Sequence, residues 1–338
     1  MNSRERCLAV LQHKKPDRVP FFPLLMFFAA DRAGLSFRTY ATDPVALAEA
    51  QIKIFEEYRV DAVTVSSDAF RMSADLGAQM SFPENQTPFA VKPVVTSEHD
   101  LDNIDAGRLY GNHSRLNDRI RSVEILSRNI GKEALVCGWV EMPFAEVCDW
   151  FGVQNLMYLL IDDPAAVHKA LDIATELEIG FALRQIEAGA EMIGCGDAAA
   201  TLISPAFFEE FVLPYEQRVT DAIRNAKAWS KLHICGDSTK KLDLIVKSGA
   251  DLVNIDSAVD FRTASELFSS EKIAFKGNAD PVRDILNSTP EKARETADYF
   301  VKTADSMPYM LSAGCELPAA VSDDVYKGFA GAAVEEFR

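Results

Sequence analysis

The chain has 338 residues and 48% of them are hydrophobic, which is enough for one large core. A net charge of −16 argues against nucleic-acid binding, because a phosphate-binding surface needs clustered lysine and arginine. We expect no contact with a membrane, because no apolar run reaches the roughly 18 residues of a membrane span. The N-terminus also lacks a signal peptide's apolar segment. Six scattered cysteines do not make a disulfide framework and predict a cytoplasmic protein with free thiols or metal ligands.

Short apolar segments that end in a polar residue alternate with segments of helical apolar spacing. In chain order these predict strand 18–23, helix 44–58, strand 62–68, strand 134–141, helix 163–188, strand 191–197, helix 205–225, strand 230–235, helix 240–248, strand 252–256, strand 273–278, helix 290–303 and strand 309–315. Three of the helices have a cap residue before a proline: Asp163, Ser204 and Thr289.

Alternating strands and helices indicate a parallel sheet, and eight strands favour a (β/α)8 TIM barrel. An open, doubly wound sheet is the alternative fold, but the G-x-G-x-x-G motif that often marks it is missing from the sequence. Residues 72–130 contain irregular, turn-rich sequence. We interpret them as an insertion, which could act as a lid, within a single domain that spans residues 1–338.

Polar residues occupy the predicted carboxyl ends of the strands, where barrel enzymes carry their chemistry. They are Asp68, Glu141, Asp197, His233, Cys235, Asp256, Asn278 and Cys315. The strands that lead to these residues are apolar, and a purely structural barrel does not require polar ends. We therefore expect a functional site at this end of the sheet.

His233 and Cys235 are two residues apart, so on a strand their side chains point to the same face. Cys315, at the end of the last predicted strand, can supply a third soft ligand. Zinc favours nitrogen and sulfur ligands, and three protein ligands leave a fourth position open, as in catalytic zinc sites. The alternative is that these cysteines are simply small buried apolar residues.

Other residues have competing interpretations. We predict that Asp68 is catalytic and accepts a hydrogen bond from the substrate or orients a ligand, but it could equally cap a helix. Cys195 could be a spare metal ligand, although packing is the simpler interpretation.

Four segments resemble the uroporphyrinogen decarboxylase superfamily, and the resemblance extends over nearly the whole chain. They read RERCLAVLQHKKPDRVPFFP, LHICGDSTKKLDLIVKSGADLVNID, KGNADP and AGCELP. One branch of the superfamily is the metal-free decarboxylase of haem synthesis. The other comprises cobalamin-dependent methyltransferases, such as methylcobamide:coenzyme M methyltransferases, which bind zinc through H-x-C and a distant cysteine.

The decarboxylase markers are mostly missing. Its arginine-rich M-R-Q-A-G-R-Y segment is replaced by MFFAADRAGLSFRTY, which retains only Arg32 and Arg38. Asp149 stands where the decarboxylase has a tyrosine, and Cys315 where it has a histidine. Asp68 matches the decarboxylase's aspartate and does not discriminate. On the methyltransferase side, AAVSDD replaces the T-P helix start expected after AGCELP, so the exact subfamily stays open.

The resemblance therefore implies zinc bound by His233, Cys235 and Cys315, and methyl transfer between a corrinoid protein and a small thiol or methylated substrate. The methylcobamide would belong to that partner, because the chain lacks the D-x-H-x-x-G corrinoid-binding signature. Substrate contacts are expected from Glu141, Asp197 and Asn278. Two alternatives remain, which are a decarboxylase-type lyase acting on a tetrapyrrole and a non-catalytic corrinoid-binding protein.

Overall fold

Seven parallel strands form a curled sheet in the computed structural model, which describes residues 1–95, 98–111 and 113–334. The strands are β1 (Ala62–Thr64), β2 (Gln79–Ser81), β3 (Phe89–Lys92), β4 (Leu135–Glu141), β5 (Met192–Gly196), β6 (Trp229–His233), β7 (Leu252–Asn254), β8 (Ala274–Ala279) and β9 (Tyr309–Ala313). The parallel order is β1-β4-β5-β6-β7-β8-β9, and β2 and β3 form a separate antiparallel hairpin. The prediction of an α/β fold with a parallel sheet is confirmed.

The helices lie mostly between successive strands. They are α1 (Ser3–Leu11), α2 (Phe27–Arg32), α3 (Phe37–Thr42), α4 (Pro44–Tyr58), α5 (Arg71–Asp75), α6 (Glu98–Leu101), α7 (Arg115–Ile130), α8 (Pro143–Phe151), α9 (Val153–Asp162), α10 (Pro164–Glu187), α11 (Pro205–Phe211), α12 (Leu213–Asn225), α13 (Leu242–Lys247), α14 (Phe261–Ser270), α15 (Pro290–Thr303) and α16 (Asp323–Ala330). Short 3-10 turns cover Ala106–Arg108, Ala198–Leu202 and Thr239–Lys241, and a π turn covers Pro281–Leu286. None of the described helices is both long and apolar enough to cross a membrane.

The first predicted strand, 18–23, is not a regular strand. The segment makes only isolated bridges, Phe21 with Leu311 and Leu24 with Glu316. The reason is chemical, since Pro20 and Pro23 have no backbone N–H to donate to a ladder. The segment still touches both edges of the sheet, because the Phe22 N–H donates to the Leu311 carbonyl and the Asp61 N–H donates to the Phe21 carbonyl.

The inner face of the curled sheet has its own apolar core. It combines residues of six strands with Phe22 and side chains of α1: Cys7, Val10, Leu11, Ala62, Leu135, Cys137, Met192, Leu252, Ala274 and Met310. Side chains of the first and last strands meet in one cluster, which requires the sheet to curl. Because α1 belongs to this cluster, it covers the amino-terminal end of the sheet. The functional site is therefore expected at the opposite, carboxyl-terminal end.

Two predicted segments, the helix 205–225 and the irregular insertion 72–130, differ from the structure. The predicted helix 205–225 is divided into α11 and α12 at Val212, because Pro214 cannot donate a helical hydrogen bond and clashes with the preceding turn. Within 72–130 the structure has the 16-residue helix α7, which packs against α4 and leads into β4. The predicted caps are present, and the Asp163, Ser204 and Thr289 side chains each accept a backbone N–H.

Candidate metal centre

Three predicted ligands meet at the carboxyl end of the sheet. His233 ends β6, Cys235 follows it, and Cys315 lies just after β9. The Cys235 sulfur lies 3.0 Å from His233 Nε2 and 3.8 Å from the Cys315 sulfur. The Cys315 sulfur lies 3.7 Å from the same Nε2. Among the described residues this is the group of three or more His, Cys, Asp or Glu side chains whose ligand atoms lie close enough to share one metal ion.

The donor set and its spacing fit zinc. Tetrahedral zinc with Zn–S near 2.3 Å and Zn–N near 2.0 Å separates two sulfurs by ~3.8 Å and a sulfur from a nitrogen by ~3.5 Å. The observed separations of 3.8, 3.7 and 3.0 Å are close to these values. Three ligands converge among the described residues, one fewer than the four that tetrahedral zinc takes.

The two thiols of the centre differ in acidity. A hydrogen bond between the Cys235 and Cys315 sulfurs lowers the pKa of Cys315 to about 4 and raises that of Cys235. This shift favours the thiolate form of Cys315, and the thiolate is the form that binds metals. His233 Nδ1 is buried and has no hydrogen-bond partner among the described residues.

Gly314 brings the Cys315 loop close to the loop that follows β7. A Cβ at this position would lie 2.4 Å from the Ser257 backbone nitrogen, closer than any side chain tolerates. The Gly314 carbonyl also accepts a hydrogen bond of 3.0 Å from the Asn254 side chain. Packing of backbone against backbone thus sets the position of the third ligand.

Glu141 lies in the same row of the sheet as the metal centre. It pairs with Gly196 of β5, which in turn pairs with His233 of β6. Its carboxylate accepts a 2.8 Å hydrogen bond from Trp139 Nε1, and Arg71 lies 3.5 Å away. Burial raises the pKa of Glu141 to about 7, so this group can change its protonation near neutral pH.

The structure places Asp197 in a fully buried position. Its carboxylate has no well-aligned hydrogen-bond partner among the described residues, and the same is true of Glu216 on α12. Burial raises the pKa of Asp197 to about 8 and that of Glu216 well above its usual range. In this structure the Asp197 carboxyl is therefore closed off from solvent.

Asn278 is nearly buried and braces the loop after β7. Its side-chain nitrogen donates to the carbonyls of Asp256 at 3.1 Å and Val259 at 2.7 Å. Asp256 in turn accepts the Ala258 N–H at 2.9 Å. Asn278 thus positions the backbone beside Gly314, and only its side-chain oxygen is left for a ligand.

Asp68 forms a buried ion pair that the sequence analysis missed. Both of its oxygens accept hydrogen bonds of 2.7 Å from Arg115, the first residue of α7. Burial opposes ionisation, but this pair more than offsets it and lowers the pKa of Asp68. Asp68 does not cap α5, whose cap residue is Phe70 with no side-chain hydrogen bond.

Two more buried arginines, Arg71 and Arg119, lie beside this pair. The missed signal was helical spacing within 72–130, because Arg115 and Arg119 continue the buried stripe formed by Val123, Leu126 and Ile130. Cys195 is fully buried in β5 and does not reach the three ligands.

The family model for uroporphyrinogen decarboxylase (URO-D) matches residues 2–335. The chain is 27% identical over 327 residues to "Methylcobamide:CoM methyltransferase MtbA" of Methanosarcina acetivorans, covering 92% of this chain and 91% of that protein. It is 26% identical over 287 residues to a uroporphyrinogen decarboxylase of a Synechococcus species, covering 82% and 79%. A solved "methyltransferase from Methanosarcina mazei" has the same fold, with a TM-score of 0.89, 21% identity and 99% coverage of both chains.

Proposed function

Since the chain belongs to the uroporphyrinogen decarboxylase (URO-D) family and matches a methylcobamide methyltransferase over nearly its full length, we propose that it is a zinc-dependent methyltransferase. It moves a methyl group between a corrinoid protein and a small thiol or methylated substrate. The observation that carries the proposal is the convergence of His233, Cys235 and Cys315, whose ligand atoms lie within 4.8 Å of one another.

The proposed metal ligands are His233, Cys235 and Cys315. Zinc in such a site supplies Lewis-acid chemistry and favours the thiolate form of a thiol substrate, which is the reactive nucleophile. The Cys315 thiolate and the His233 imidazole provide the charge and the nitrogen donor for the ion. Gly314 and Asn278 hold the Cys315 loop in place, and Glu141 faces the same end of the sheet.

The proposed architecture is a single-domain (β/α)8 barrel with an insertion at about residues 72–130. The segment around Phe21 takes the eighth strand position, because it bonds to Leu311 of β9 on one side and Asp61 before β1 on the other. A barrel closed in this way has an open end at the carboxyl termini of its strands. A separate corrinoid protein supplies methylcobamide there, in the cytoplasm.

The roles of the remaining predicted residues follow from their surroundings. Glu141 is the substrate contact best supported by position, since it lies at the strand end beside the metal centre. Asn278 contributes to the site by holding the loop after β7 in place through its side-chain hydrogen bonds. Asp68 acts by fixing Arg115, and we assign it a positioning role in place of direct catalysis.

Metal content measured by plasma mass spectrometry tests the proposal. We expect nearly one zinc per chain in the wild type and in Cys195→Ala, a matched control that removes a buried thiol outside the centre. Cys315→Ala should lose zinc and methyl transfer from methylcobalamin to a thiol. Metal-free protein after zinc reconstitution, or full activity of Cys315→Ala, would refute the proposal and favour the decarboxylase alternative.

A further inference from the structure

The third metal ligand, Cys315, lies beyond the end of its strand. His233 is the last residue of β6 and is still paired with β7. Cys315, in contrast, follows the end of β9, where the Gly314 N–H donates a 2.8 Å hydrogen bond to the Ala279 carbonyl of β8. The position of Cys315 therefore depends on the contacts of the loop that carries it.

Glu316, the next residue along the chain, joins this loop to α2. Its side-chain oxygen Oε1 accepts the backbone N–H groups of Met26 at 3.1 Å and Phe27 at 2.6 Å. The Leu317 N–H donates at 3.1 Å to the Leu24 carbonyl, which lies shortly before α2. These three hydrogen bonds hold the residues that follow Cys315 against the start of α2.

Arg32 attaches the same loop to the other end of α2. Its guanidinium group donates to the backbone carbonyls of Ala319 at 3.3 Å and Val321 at 2.5 Å. It also donates to the Asp323 side chain at 2.8 Å. The segment that follows β9 is therefore bound to both ends of one short helix.

The helix α2 is itself fixed in the core of the protein. Phe28 is fully buried, and its ring lies 5.0 Å from the Tyr326 ring and 5.2 Å from the Tyr58 ring. The buried Gln51 side chain donates at 2.7 Å to the Leu25 carbonyl, just before the helix. Because α2 is packed on these side chains, it gives the Cys315 loop a rigid support.

The backbone of Glu316 faces the metal centre, whereas its side chain faces α2. Its N–H donates a hydrogen bond to the Cys315 sulfur. Hydrogen bonds to a metal ligand orient the ligand and change the electron density that it gives to the metal. Since the side chain of Glu316 is held by α2, it determines where the N–H of the same residue points relative to this sulfur.

We propose that Glu316 is a positioning residue of the metal centre. By accepting the first N–H groups of α2, its side chain fixes the Cys315 loop and directs the Glu316 N–H at the ligand sulfur. Glu316 acts on the metal through Cys315, because its own oxygens do not belong to the group of ligand atoms that converge. The inference rests on the proposed function and adds a residue that sets the strength of one zinc–sulfur bond.

Zinc affinity, measured by competition with a chromophoric chelator, is the first test. Glu316→Ala removes the acceptor, and we expect the dissociation constant of zinc to rise about 10–100-fold, as when other supports of a metal ligand are lost. Glu316→Gln keeps a side-chain oxygen that can accept the same N–H groups, so it should restore most of the affinity. Asp43→Ala is the matched control and should bind zinc like the wild type. Asp43 Oδ1 accepts the Val45 and Ala46 N–H groups at 2.8 and 3.1 Å at the start of α4.

The absorption spectrum of the cobalt(II)-substituted protein tests the sulfur ligand without turnover. We expect the sulfur-to-cobalt charge-transfer bands to lie at lower energy in Glu316→Ala, because a thiolate that has lost an N–H donor gives up its electrons more readily. Glu316→Gln and Asp43→Ala should keep the wild-type spectrum. A general loss of stability would not move these bands, and urea unfolding of the metal-free variants measures that loss separately.

These tests separate failure of the positioning role from failure of the proposed function. Equal zinc affinity and identical cobalt spectra in the wild type and Glu316→Ala would refute the positioning role, and methyl transfer by both proteins would leave the function intact. Glu316→Gln as impaired as Glu316→Ala would also overturn it, because the charge of Glu316 would then act in place of its hydrogen bonds. Metal spectra that depend on Glu316 in a protein that transfers no methyl group would refute the function and keep the positioning role. A wild type that binds neither zinc nor cobalt would refute both.

Discussion

Asp68 and Asp197 are both buried carboxyls near the carboxyl end of the sheet, yet their surroundings shift their pKa values in opposite directions. Asp68 meets the planar Arg115 guanidinium with both oxygens, which favours the charged form. Asp197 forms no ion pair among the described residues, and burial favours its neutral form. Sequence alone could not separate these two cases, because the deciding partner lies 47 residues away along the chain.

Asp68→Asn should lower the free energy of unfolding by ~3–5 kcal/mol at pH 7, because it leaves Arg115 buried without a counter-charge. Since the folded-state pKa of Asp68 lies below its unfolded value, this stabilisation is present above about pH 4 and is lost as the solution becomes more acidic. Urea unfolding at pH 7 and pH 3 measures both effects. Glu124→Gln, in an exposed pair on the same helix, should cost at most ~1 kcal/mol.

Asp197→Asn should flatten the dependence of stability on pH. The folded-state pKa of Asp197 is raised to about 8. Its contribution to the free energy of unfolding is therefore fully present below the unfolded-state pKa and is lost as pH rises towards 8. Urea midpoints at pH 5, 6.5 and 8 should therefore fall in the wild type and fall less in the variant. A slope equal to that of the exposed-site control Asp162→Asn would contradict the prediction.

At the scale of the element, the metal centre depends on how closely the ends of neighbouring strands pack. Gly314→Ala would push the Cys315 loop away from Ser257, since the new Cβ would meet backbone atoms that cannot rotate aside. We expect zinc affinity to fall about 10–100-fold, as for other changes in the support of metal ligands. Competition with a chromophoric chelator measures this loss. Gly180→Ala is the control, because its nearest new contact is 3.9 Å.

The order of the strands could be predicted from the sequence, but their lengths could not. Alternation placed His233 and Cys235 on one face, and the structure brings both to Cys315. The predicted strands ran two to four residues too far at several ends, where side chains leave the ladder to face the site. The prediction had no account of Arg71 and Arg119, because a charged residue in a turn-rich segment gives no sign of burial.

At the scale of the whole molecule, Asp61 ties the chain's first segment to the sheet. Its carboxylate accepts hydrogen bonds from Arg6, Arg18 and the Phe21 N–H. The shortest contact with each of these donors is 2.7 Å. The Asp61 carboxylate is completely buried, and its hydrogen bonds join these three donors in one network. It adds to the backbone hydrogen bonds by which Phe21 and Phe22 contact the two sheet edges.

Asp61→Asn should therefore cost ~3–5 kcal/mol of unfolding free energy, the usual loss when a buried ion pair is broken. Hydrogen exchange should rise at the Phe22 and Leu311 amides, which join the segment to β9. Glu191→Gln, which breaks a more exposed pair with Arg4, is expected to cost no more than ~1 kcal/mol. Equal costs for the two variants would show that the Asp61 network does not hold the 18–23 segment against the sheet.

The proposed zinc ligands come from two stretches of chain 80 residues apart, and they meet only when β6 to β9 are assembled. An unfolded chain offers zinc no comparable site, so metal binding and folding of this half become one equilibrium. Free zinc at a hundred times its dissociation constant would add about 2.7 kcal/mol to the unfolding free energy. The supply of zinc would then govern how long the protein survives in the cell, quite apart from how fast it works.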